Sequence, residues 1–142
     1  FGQTLLNFFD SFGERQTLES GAVVPNFINS MLENKRPILY GNGDPVRDFT
    51  YVGDVVYELK RLMFEESKTG LEHVGYSDSV TVLTLLYMIY GYIPNTEKIP
   101  LRSYEIFHNQ APYEMKSIVY GRKKGLERTI DWFKNNNVIT ST

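Results

Sequence analysis

No cysteine occurs among the 142 residues, and this absence excludes several kinds of chemistry at once. Without thiols the chain can form no disulfide, no thiolate metal site and no cysteine nucleophile. A cysteine-free composition suits a protein of the reducing cytoplasm, which is where we expect this one. The first residues also lack the basic segment and cleavage site that are typical of a secretory signal.

The sequence has neither a marked excess of charge of one sign nor a long hydrophobic run. Its 15 Lys and Arg residues and 17 Asp and Glu residues leave a formal net charge of −2. This balance gives no broad basic surface, so we predict neither nucleic acid nor a membrane as a partner. The longest apolar run, Val80 to Ile93, is interrupted by polar residues and is too short to span a bilayer. It is interpreted as a buried helix.

The composition predicts a single globular domain over residues 1–142. A share of 42% hydrophobic and 23% charged residues is typical of a chain with a packed core and excludes general disorder. The length falls within the usual range of one domain. Aromatic residues, at 14%, are numerous. Aromatic rings line ligand pockets and also fill ordinary cores, so composition leaves both interpretations open.

Short strands and helices alternate along the chain, which predicts an α/β fold with helices packed on short strands. The expected strands are Thr4 to Phe9, Ile38 to Tyr40, Val46 to Tyr51, Glu72 to Tyr76 and Lys116 to Tyr120. The expected helices are Val24 to Leu32, a segment capped by Asp54, Val82 to Tyr90, and a closing helix around Leu126 to Phe133. Residues 95–113 are expected to be irregular, and no complete doubly wound sheet is expected.

Arg47 is the best anion-binding candidate that the residues themselves indicate. It follows a turn, Gly41 to Pro45, whose backbone N–H groups could also face an anion. A guanidinium group binds phosphate oxygens through two parallel hydrogen bonds. The alternative is that Arg47 and Asp48 form an exposed ion pair on a hairpin, an arrangement that is common and contributes little. The residue pattern leaves both alternatives open.

The residue pattern does not indicate a metal site, a serine nucleophile or a dinucleotide-binding loop. His73 and His108 are far apart and have no clustered partners, which predicts no metal site. No serine lies in a G-x-S-x-G motif, and no G-x-x-G-x-x-G loop for a dinucleotide is present. The basic run Arg122 to Lys124 is interpreted as a solvated turn before the closing helix. We therefore predict no catalytic residues in this chain.

Residues 37–54 read PILYGNGDPVRDFTYVGD. This segment resembles the I-Y-G-x-G-x-x-x-R-D-F-x-Y-V-x-D-V motif of nucleotide-sugar epimerases and dehydratases, the extended short-chain dehydrogenase/reductase family. Four further segments are similar to family motifs in the same order, namely Leu5 to Gln16, Ala22 to Ile28, His73 to Val82, and Gly125 to Phe133. The resemblance therefore covers most of the chain.

The resemblance implies the C-terminal, substrate-binding half of an NAD-dependent enzyme that acts on a nucleoside diphosphate sugar. In the family, the segment matching residues 37–54 holds the nucleoside diphosphate, so Arg47 would clamp the diphosphate and Ile38 to Tyr40 would pack against base and ribose. The substrate-binding residues implied in this way are Phe8, Phe9, Asp10, Val23, Ile38, Leu39, Tyr40, Arg47 and Glu114. The expected ligand is a UDP-, GDP- or dTDP-sugar, with the base and sugar left open.

The chain also departs from the family pattern. Asp10 stands where the family has an asparagine, and a carboxylate repels a phosphate to which an amide can donate. Ala111 stands where the family has the arginine of its R-P-G-D/E motif, and His73 replaces the asparagine of an N-V-G strand. The D-x-s-K-a-x-x-L-G-w-x-P stretch that precedes the closing helix in the family is also missing.

The resemblance places Phe1 after the family's glycine-rich cofactor loop and after its catalytic Tyr-x-x-x-Lys. We therefore expect no cofactor in this chain, NAD being bound in the complete enzyme, and no epimerase, dehydratase or NAD-reducing activity from the chain alone. The alternative is a non-catalytic binding or assembly module that keeps the scaffold without the ligand. A homo-oligomer is expected, because strand edges and apolar side chains such as Phe8, Val55, Leu59 and Val74 would otherwise meet water.

Overall fold

The computed structural model describes residues 3–65 and 70–136, which form helices packed on short strands. The helices are α1 (Val23–Leu32), α2 (Val52–Phe64), α3 (Val82–Tyr90) and α4 (Gly121–Asn135), with a 3-10 turn at Leu18–Ser20. The strands are β1 (Thr4–Phe8), β2 (Ser11–Phe12), β3 (Ile38–Tyr40), β4 (Val46–Arg47), β5 (Thr50–Tyr51), β6 (Gly70–Val74), β7 (Val80–Thr81), β8 (Glu97–Ile99) and β9 (His108–Asn109). The predicted α/β class with helices packed on short strands is confirmed, and the described residues contain no complete doubly wound sheet.

The strands form four small sheets. Three are parallel pairs, β1 with β6, β2 with β5, and β3 with β8. The fourth places β4 between β7, which is antiparallel to it, and β9, which is parallel to it. Since β3 and β4 belong to different sheets, the turn between them connects two sheets and is not the loop of a hairpin.

Helices α1, α3 and α4 bury their apolar faces in one core. The spacing predicted for α1 is confirmed, since Val24, Phe27 and Ile28 are all buried. Helix α3 has the predicted length, but it is not buried on all sides, because Tyr87 is 53% exposed while Leu85 lies in the core. Among the described residues, no helix is both long and apolar enough to cross a membrane.

Several predicted boundaries are wrong. The strand predicted from Val46 to Tyr51 is broken into two, because Asp48 turns inward to accept backbone hydrogen bonds from Ser77 and Ala111 at 2.9 and 3.1 Å. The strand predicted at Glu72 to Tyr76 begins and ends two residues earlier. No strand forms at Lys116 to Tyr120, where the N–H groups of Ser117, Val119 and Tyr120 bind carboxylates instead of a neighbouring strand. The segment 95–113 contains β8 and β9.

Asp54 does not cap α2 as predicted. The helix begins at Val52, and Asp54 lies in its first turn with its carboxylate fully buried. The carboxylate accepts hydrogen bonds from the N–H groups of Val119, Tyr120 and Gly121 at 2.7–2.9 Å. It also accepts one from the Tyr76 hydroxyl at 2.5 Å, and burial together with this bond raises the pKa of Tyr76. Asp54 therefore ties α2 to the beginning of α4.

Arg122 is not part of a solvated turn. It is buried, and it donates hydrogen bonds to the carbonyl oxygens of Phe49 and Asp78. Its guanidinium also lies 3.4 Å from the carboxylate of Asp48, which is completely buried. The alternative in which Asp48 pairs with Arg47 at the surface is thus wrong, because Asp48 pairs with Arg122 in the interior.

Candidate functional site

An open cavity of about 220 Å³ lies between α1, β3 and the beginning of α3. Its walls are Val23 and Phe27 of α1, Ile38 and Tyr40 of β3, and Val82 of α3. Side chains alternate between the two faces of a strand, so Ile38 and Tyr40 point to this cavity while Leu39 between them points to the core. We name this mainly apolar cavity the slot.

A second cavity of about 160 Å³ adjoins the slot and is more strongly charged. The two cavities share Gly21, Val23, Val82 and Glu105 as lining residues, and the second adds Asp10, Ser11, Gln16 and Arg47. Within the described ranges, Ser11 Oγ and Gln16 Oε1 are buried and have no hydrogen-bond partner. Buried polar atoms are normally paired, so these two are exceptions to the usual pattern. We name the two cavities together the groove and the second cavity its charged end.

Arg47 forms the cationic part of the charged end. Its Nη2 atom lies 2.6 Å from Glu105 Oε1, and both side chains are 15% exposed. Arg102 lies nearby, with its Nε atom 3.7 Å from Glu105 Oε2 and its guanidinium carbon 4.5 Å from the centre of the Tyr40 ring. Two guanidinium groups therefore flank one carboxylate where the slot meets the charged end.

Asp10 faces the same charged end. Its backbone φ angle of 30° places it in the left-handed region, which directs the chain from β1 into β2. Burial raises the pKa of its carboxyl group, and Arg47 and a 3.4 Å hydrogen bond from Asn109 oppose this effect. Burial has the larger effect, so the charged form of Asp10 is disfavoured here.

In the glycine turn, the N–H groups of Gly41 and Gly43 are bound to backbone carbonyl oxygens and do not face an anion. Gly41 donates to Ile99 at 2.7 Å, and Gly43 donates to Tyr40 at 3.2 Å. Gly43 has a positive φ of 74°, and a Cβ atom there would lie 2.9 Å from the Leu83 nitrogen. The expectation that free N–H groups of this turn face an anion is wrong for these two glycines, because both N–H groups have backbone acceptors.

The predicted site residues separate into two sets in the structure. The groove brings together Asp10, Val23, Ile38, Tyr40 and Arg47. The others lie elsewhere, so their predicted roles find no geometric support. Phe9 is buried, Phe8 is 46% exposed on β1, and the Leu39 side chain is 2% exposed in the core. Glu114 lies at a separate depression of about 180 Å³ near Glu58 and Arg61.

The prediction from sequence missed Phe27, Arg102 and Glu105. Phe27 is recognisable only as a core residue of an amphipathic helix, since its ring faces both the core and the slot. Arg102 and Glu105 lie in a segment without periodicity, and no residue pattern there indicates that it folds against the groove.

Two further kinds of site, a metal centre and a Tyr-x-x-x-Lys pair, can be compared with the described residues. No group of three or more His, Asp or Glu side chains in residues 3–65 and 70–136 could hold a metal ion. A Tyr-x-x-x-Lys spacing does occur at Tyr120 to Lys124. The Tyr120 ring, however, packs edge-on against Tyr51 at 5.4 Å at the start of α4, away from the residues that line the groove.

Comparison with known proteins supports the resemblance. Residues 3–73, half of the chain, match the model of the NAD dependent epimerase/dehydratase family. A Methanocaldococcus jannaschii protein provisionally named UDP-glucose 4-epimerase is 30% identical over 148 residues, covering 94% of this chain and 46% of that protein. UDP-glucuronic acid decarboxylase 4 of Arabidopsis thaliana is 32% identical over 98 residues, covering 69% of this chain and 22% of that protein.

The fold agrees with a solved member of the family. The structure of UDP-glucose 4-epimerase from Thermotoga maritima with UDP-glucose superposes with a TM-score of 0.80 at 27% identity, covering 94% of this chain and 46% of that chain. The chain thus spans about half the length of this enzyme and half or less of the two relatives. The sequence motifs, the family match and the shared fold agree, and this chain belongs to the NAD-dependent epimerase/dehydratase family of nucleotide-sugar enzymes.

Proposed function

We propose that these 142 residues bind the nucleoside diphosphate part of a sugar nucleotide, as the substrate-binding portion of an NDP-sugar epimerase, dehydratase or decarboxylase. The observation that carries the proposal is one continuous groove that has an apolar slot at one end and Arg47 at the other. A nucleoside diphosphate has the same two parts, a flat base and a charged bridge.

The apolar slot suits the base and ribose. Val23, Ile38 and Val82 provide an apolar wall, and Tyr40 provides an aromatic edge beside it. Ligand pockets combine apolar walls of this kind with a few placed polar groups. Arg102 over the Tyr40 ring adds a cation beside the slot, where the base would meet the diphosphate.

The charged end suits the diphosphate and the sugar. A guanidinium fork binds phosphate oxygens in two places and stays charged at any working pH. Arg47 is fixed on β4 by a 3.0 Å hydrogen bond from its Nη1 atom to the Val46 carbonyl oxygen. The unpaired Ser11 Oγ and Gln16 Oε1 atoms beside it would take hydrogen bonds from sugar hydroxyl groups.

We further propose that this 142-residue polypeptide, tested alone, has no turnover. In this family NAD carries the hydride, and these residues contain no glycine-rich dinucleotide loop. Incubation of homogeneous protein with added NAD and a UDP-, GDP- or dTDP-sugar should give no epimer, dehydration or decarboxylation product. Product formed by the homogeneous chain would contradict this part of the proposal.

Binding is tested by calorimetric titration of the folded chain with UDP and with uridine. UDP should bind more tightly than uridine by about 10-fold or more, because one charge-assisted hydrogen bond contributes roughly 1.5–3 kcal/mol. GDP and dTDP then test the preference for the base. Failure of all three nucleoside diphosphates to bind would contradict the proposal.

A second candidate function, a binding or assembly module without this ligand, is favoured by the carboxylates at the charged end. Asp10 and Glu105 both line it and would repel a phosphate. Asp10→Asn separates the two candidates, because it restores a neutral amide without changing the size of the side chain. Tighter UDP binding by Asp10→Asn supports the substrate-binding function, whereas no binding by either protein supports the assembly module.

We also propose that the isolated chain self-associates. Two of the apolar residues expected at the surface, Val55 and Val74, are in fact buried. Phe8 of β1 is exposed as expected, and further exposed apolar side chains include Leu5 of β1, Leu71 of β6, and Met63 and Phe64 at the end of α2. Exposed apolar patches and strand edges favour pairing with another chain. Sedimentation at micromolar concentration that gives a folded monomer of 16.4 kDa would contradict self-association.

A further inference from the structure

The segment between β8 and β9, residues 100–107, lies along the groove and is fixed at both ends. Gly41 donates a 2.7 Å hydrogen bond to the Ile99 carbonyl at one end, and Val46 donates a 2.8 Å bond to the Phe107 carbonyl at the other. A turn closed by the Glu105 N–H and the Arg102 carbonyl, at 3.1 Å, lies between these anchors. The segment therefore carries Arg102 and Glu105 to the groove on a short, anchored loop.

Glu105 is already paired with Arg47, the cation that would bind the phosphate of the proposed ligand. Its Oε1 atom is 2.6 Å from Arg47 Nη2, and the side chain is only 15% exposed. A contact of this length is a charge-assisted hydrogen bond, the same bond that a phosphate oxygen would form. Glu105 also lines both parts of the groove, so a ligand that extends from the slot to Arg47 passes this carboxylate.

We propose that Glu105 is a built-in competitor for the anion site at Arg47, so that a phosphate binds only by displacing the Glu105 carboxylate. This inference rests on the proposed function and adds a residue that sets the affinity for the charged part of the ligand. A phosphate beside an undisplaced Glu105 would meet like charge, and Asp10 on the same cavity adds to the repulsion. Arg102, 3.7 Å from Glu105, offers the displaced carboxylate an alternative partner.

The test compares Glu105→Gln with the native chain in calorimetric titrations with UDP, uridine and inorganic pyrophosphate. Glutamine keeps the shape of the side chain and removes the competing charge. UDP and pyrophosphate should bind roughly 10-fold more tightly to Glu105→Gln, whereas uridine, which has no phosphate, should bind equally to both proteins. Glu127→Gln removes one exposed charge from α4 outside the groove and should leave all three affinities unchanged.

The double variant Arg47→Ala/Glu105→Gln shows whether Glu105 acts through Arg47. The gain in affinity should disappear in the double variant, since the two residues are in contact and their effects are coupled. Glu105→Ala repeats the comparison with a second side chain, and circular dichroism confirms that each variant is folded.

The outcomes separate this inference from the proposed function. Native protein that binds UDP, with no gain in Glu105→Gln and Glu105→Ala, overturns the competitor and leaves the proposed function standing. Pyrophosphate that binds more tightly to Glu105→Gln, while no nucleoside diphosphate binds more tightly than pyrophosphate, supports the competitor and contradicts the proposed function. No binding of UDP or pyrophosphate to any of the folded proteins overturns both.

Discussion

Arg47 and Asp48 are neighbours in the chain, yet their side chains belong to two different regions of the molecule. Asp48 is fully buried and is held by Arg122 and by the N–H groups of Ser77 and Ala111. Arg47 lies at the charged end of the groove and is held by Glu105, which comes from a loop. Successive side chains of an extended segment point in opposite directions, so one short motif supplies both an interior anchor and a groove cation.

The two regions also differ in how their charges are satisfied. The interior carboxylate of Asp54 accepts four hydrogen bonds, from Tyr76 and from three consecutive N–H groups at the start of α4. The two cations of the groove, Arg47 and Arg102, are both paired with the side chain of a single loop residue, Glu105. We infer that the interior network determines stability, whereas the groove charges can exchange partners with a ligand. Variants in each region should therefore affect different measurements.

The largest expected effect on stability comes from Asp54→Ala. The substitution leaves three backbone N–H groups and the buried Tyr76 hydroxyl without an acceptor, so the free energy of unfolding should fall by about 3–5 kcal/mol. Urea denaturation measures this loss. Asp44→Ala, an exposed acid of the glycine turn, is the control and should change stability by less than about 0.5 kcal/mol. Equal losses in the two variants would contradict the role of Asp54.

A somewhat smaller loss is expected from Arg122→Met. Methionine keeps much of the side-chain length, but it leaves the buried Asp48 carboxylate without its cation, at a cost of about 3 kcal/mol. Lys123→Met changes the next residue of α4, which is exposed, and should have little effect. If the two variants unfold at the same urea concentration, Arg122 is not the interior anchor described here.

The substitutions Asp10→Asn and Glu58→Gln should change the pH dependence of the free energy of unfolding in opposite directions. Burial raises the pKa of Asp10, so its charged form is disfavoured in the folded state and Asp10→Asn should stabilise the protein above that raised pKa. The gain should vanish below the ordinary pKa range of a free aspartate. Burial also acts on Glu58, but hydrogen bonds from Arg61 and Ser117 outweigh it and lower its pKa.

Glu58→Gln should therefore destabilise the protein above the ordinary pKa range of a free glutamate, and this loss should vanish as the pH falls through the lowered pKa. Unfolding measured from pH 3 to pH 8 checks both variants. If the stability changes of the two variants depended on pH in the same way, the proposed difference between Asp10 in the groove and Glu58 in the interior would be contradicted.

Local periodicity predicted the helices well but could not predict what each charge binds. Val24, Phe27 and Ile28 fall on one face of α1 because helical spacing places them there. By contrast, Asp54 caps α4, which begins 67 residues later, and Arg122 reaches Asp48 across 74 residues. No local pattern contains such partners, because they meet only when the chain has folded.

The candidate site likewise contains some residues whose position follows from a local pattern and others whose position does not. Alternation along β3 explains why Ile38 and Tyr40 reach the groove and Leu39 does not. Glu105 and Arg102 reach the groove only because the ends of their loop are fixed to Gly41 and Val46. Their position depends on long-range hydrogen bonds, so a pattern of residue types in the sequence does not reveal it.

Arg47 tests the account most directly, because its substitution should have the smallest effect on stability and a large effect on binding. Arg47→Ala should weaken UDP binding by about 10- to 150-fold, from the loss of a charge-assisted hydrogen bond of roughly 1.5–3 kcal/mol. Its free energy of unfolding should change by about 1 kcal/mol or less, although both side chains of the ion pair are only 15% exposed, because Arg102 remains beside Glu105 as a second cation.

The decisive measurement is the Kd of UDP, determined by calorimetry for the native chain, Arg47→Ala and the exposed-cation control Lys123→Ala. The account predicts that Arg47→Ala alone weakens binding while all three proteins unfold at nearly the same urea concentration. An Arg47→Ala protein that is folded and binds UDP as tightly as the native chain would contradict the assignment of Arg47 as the diphosphate clamp.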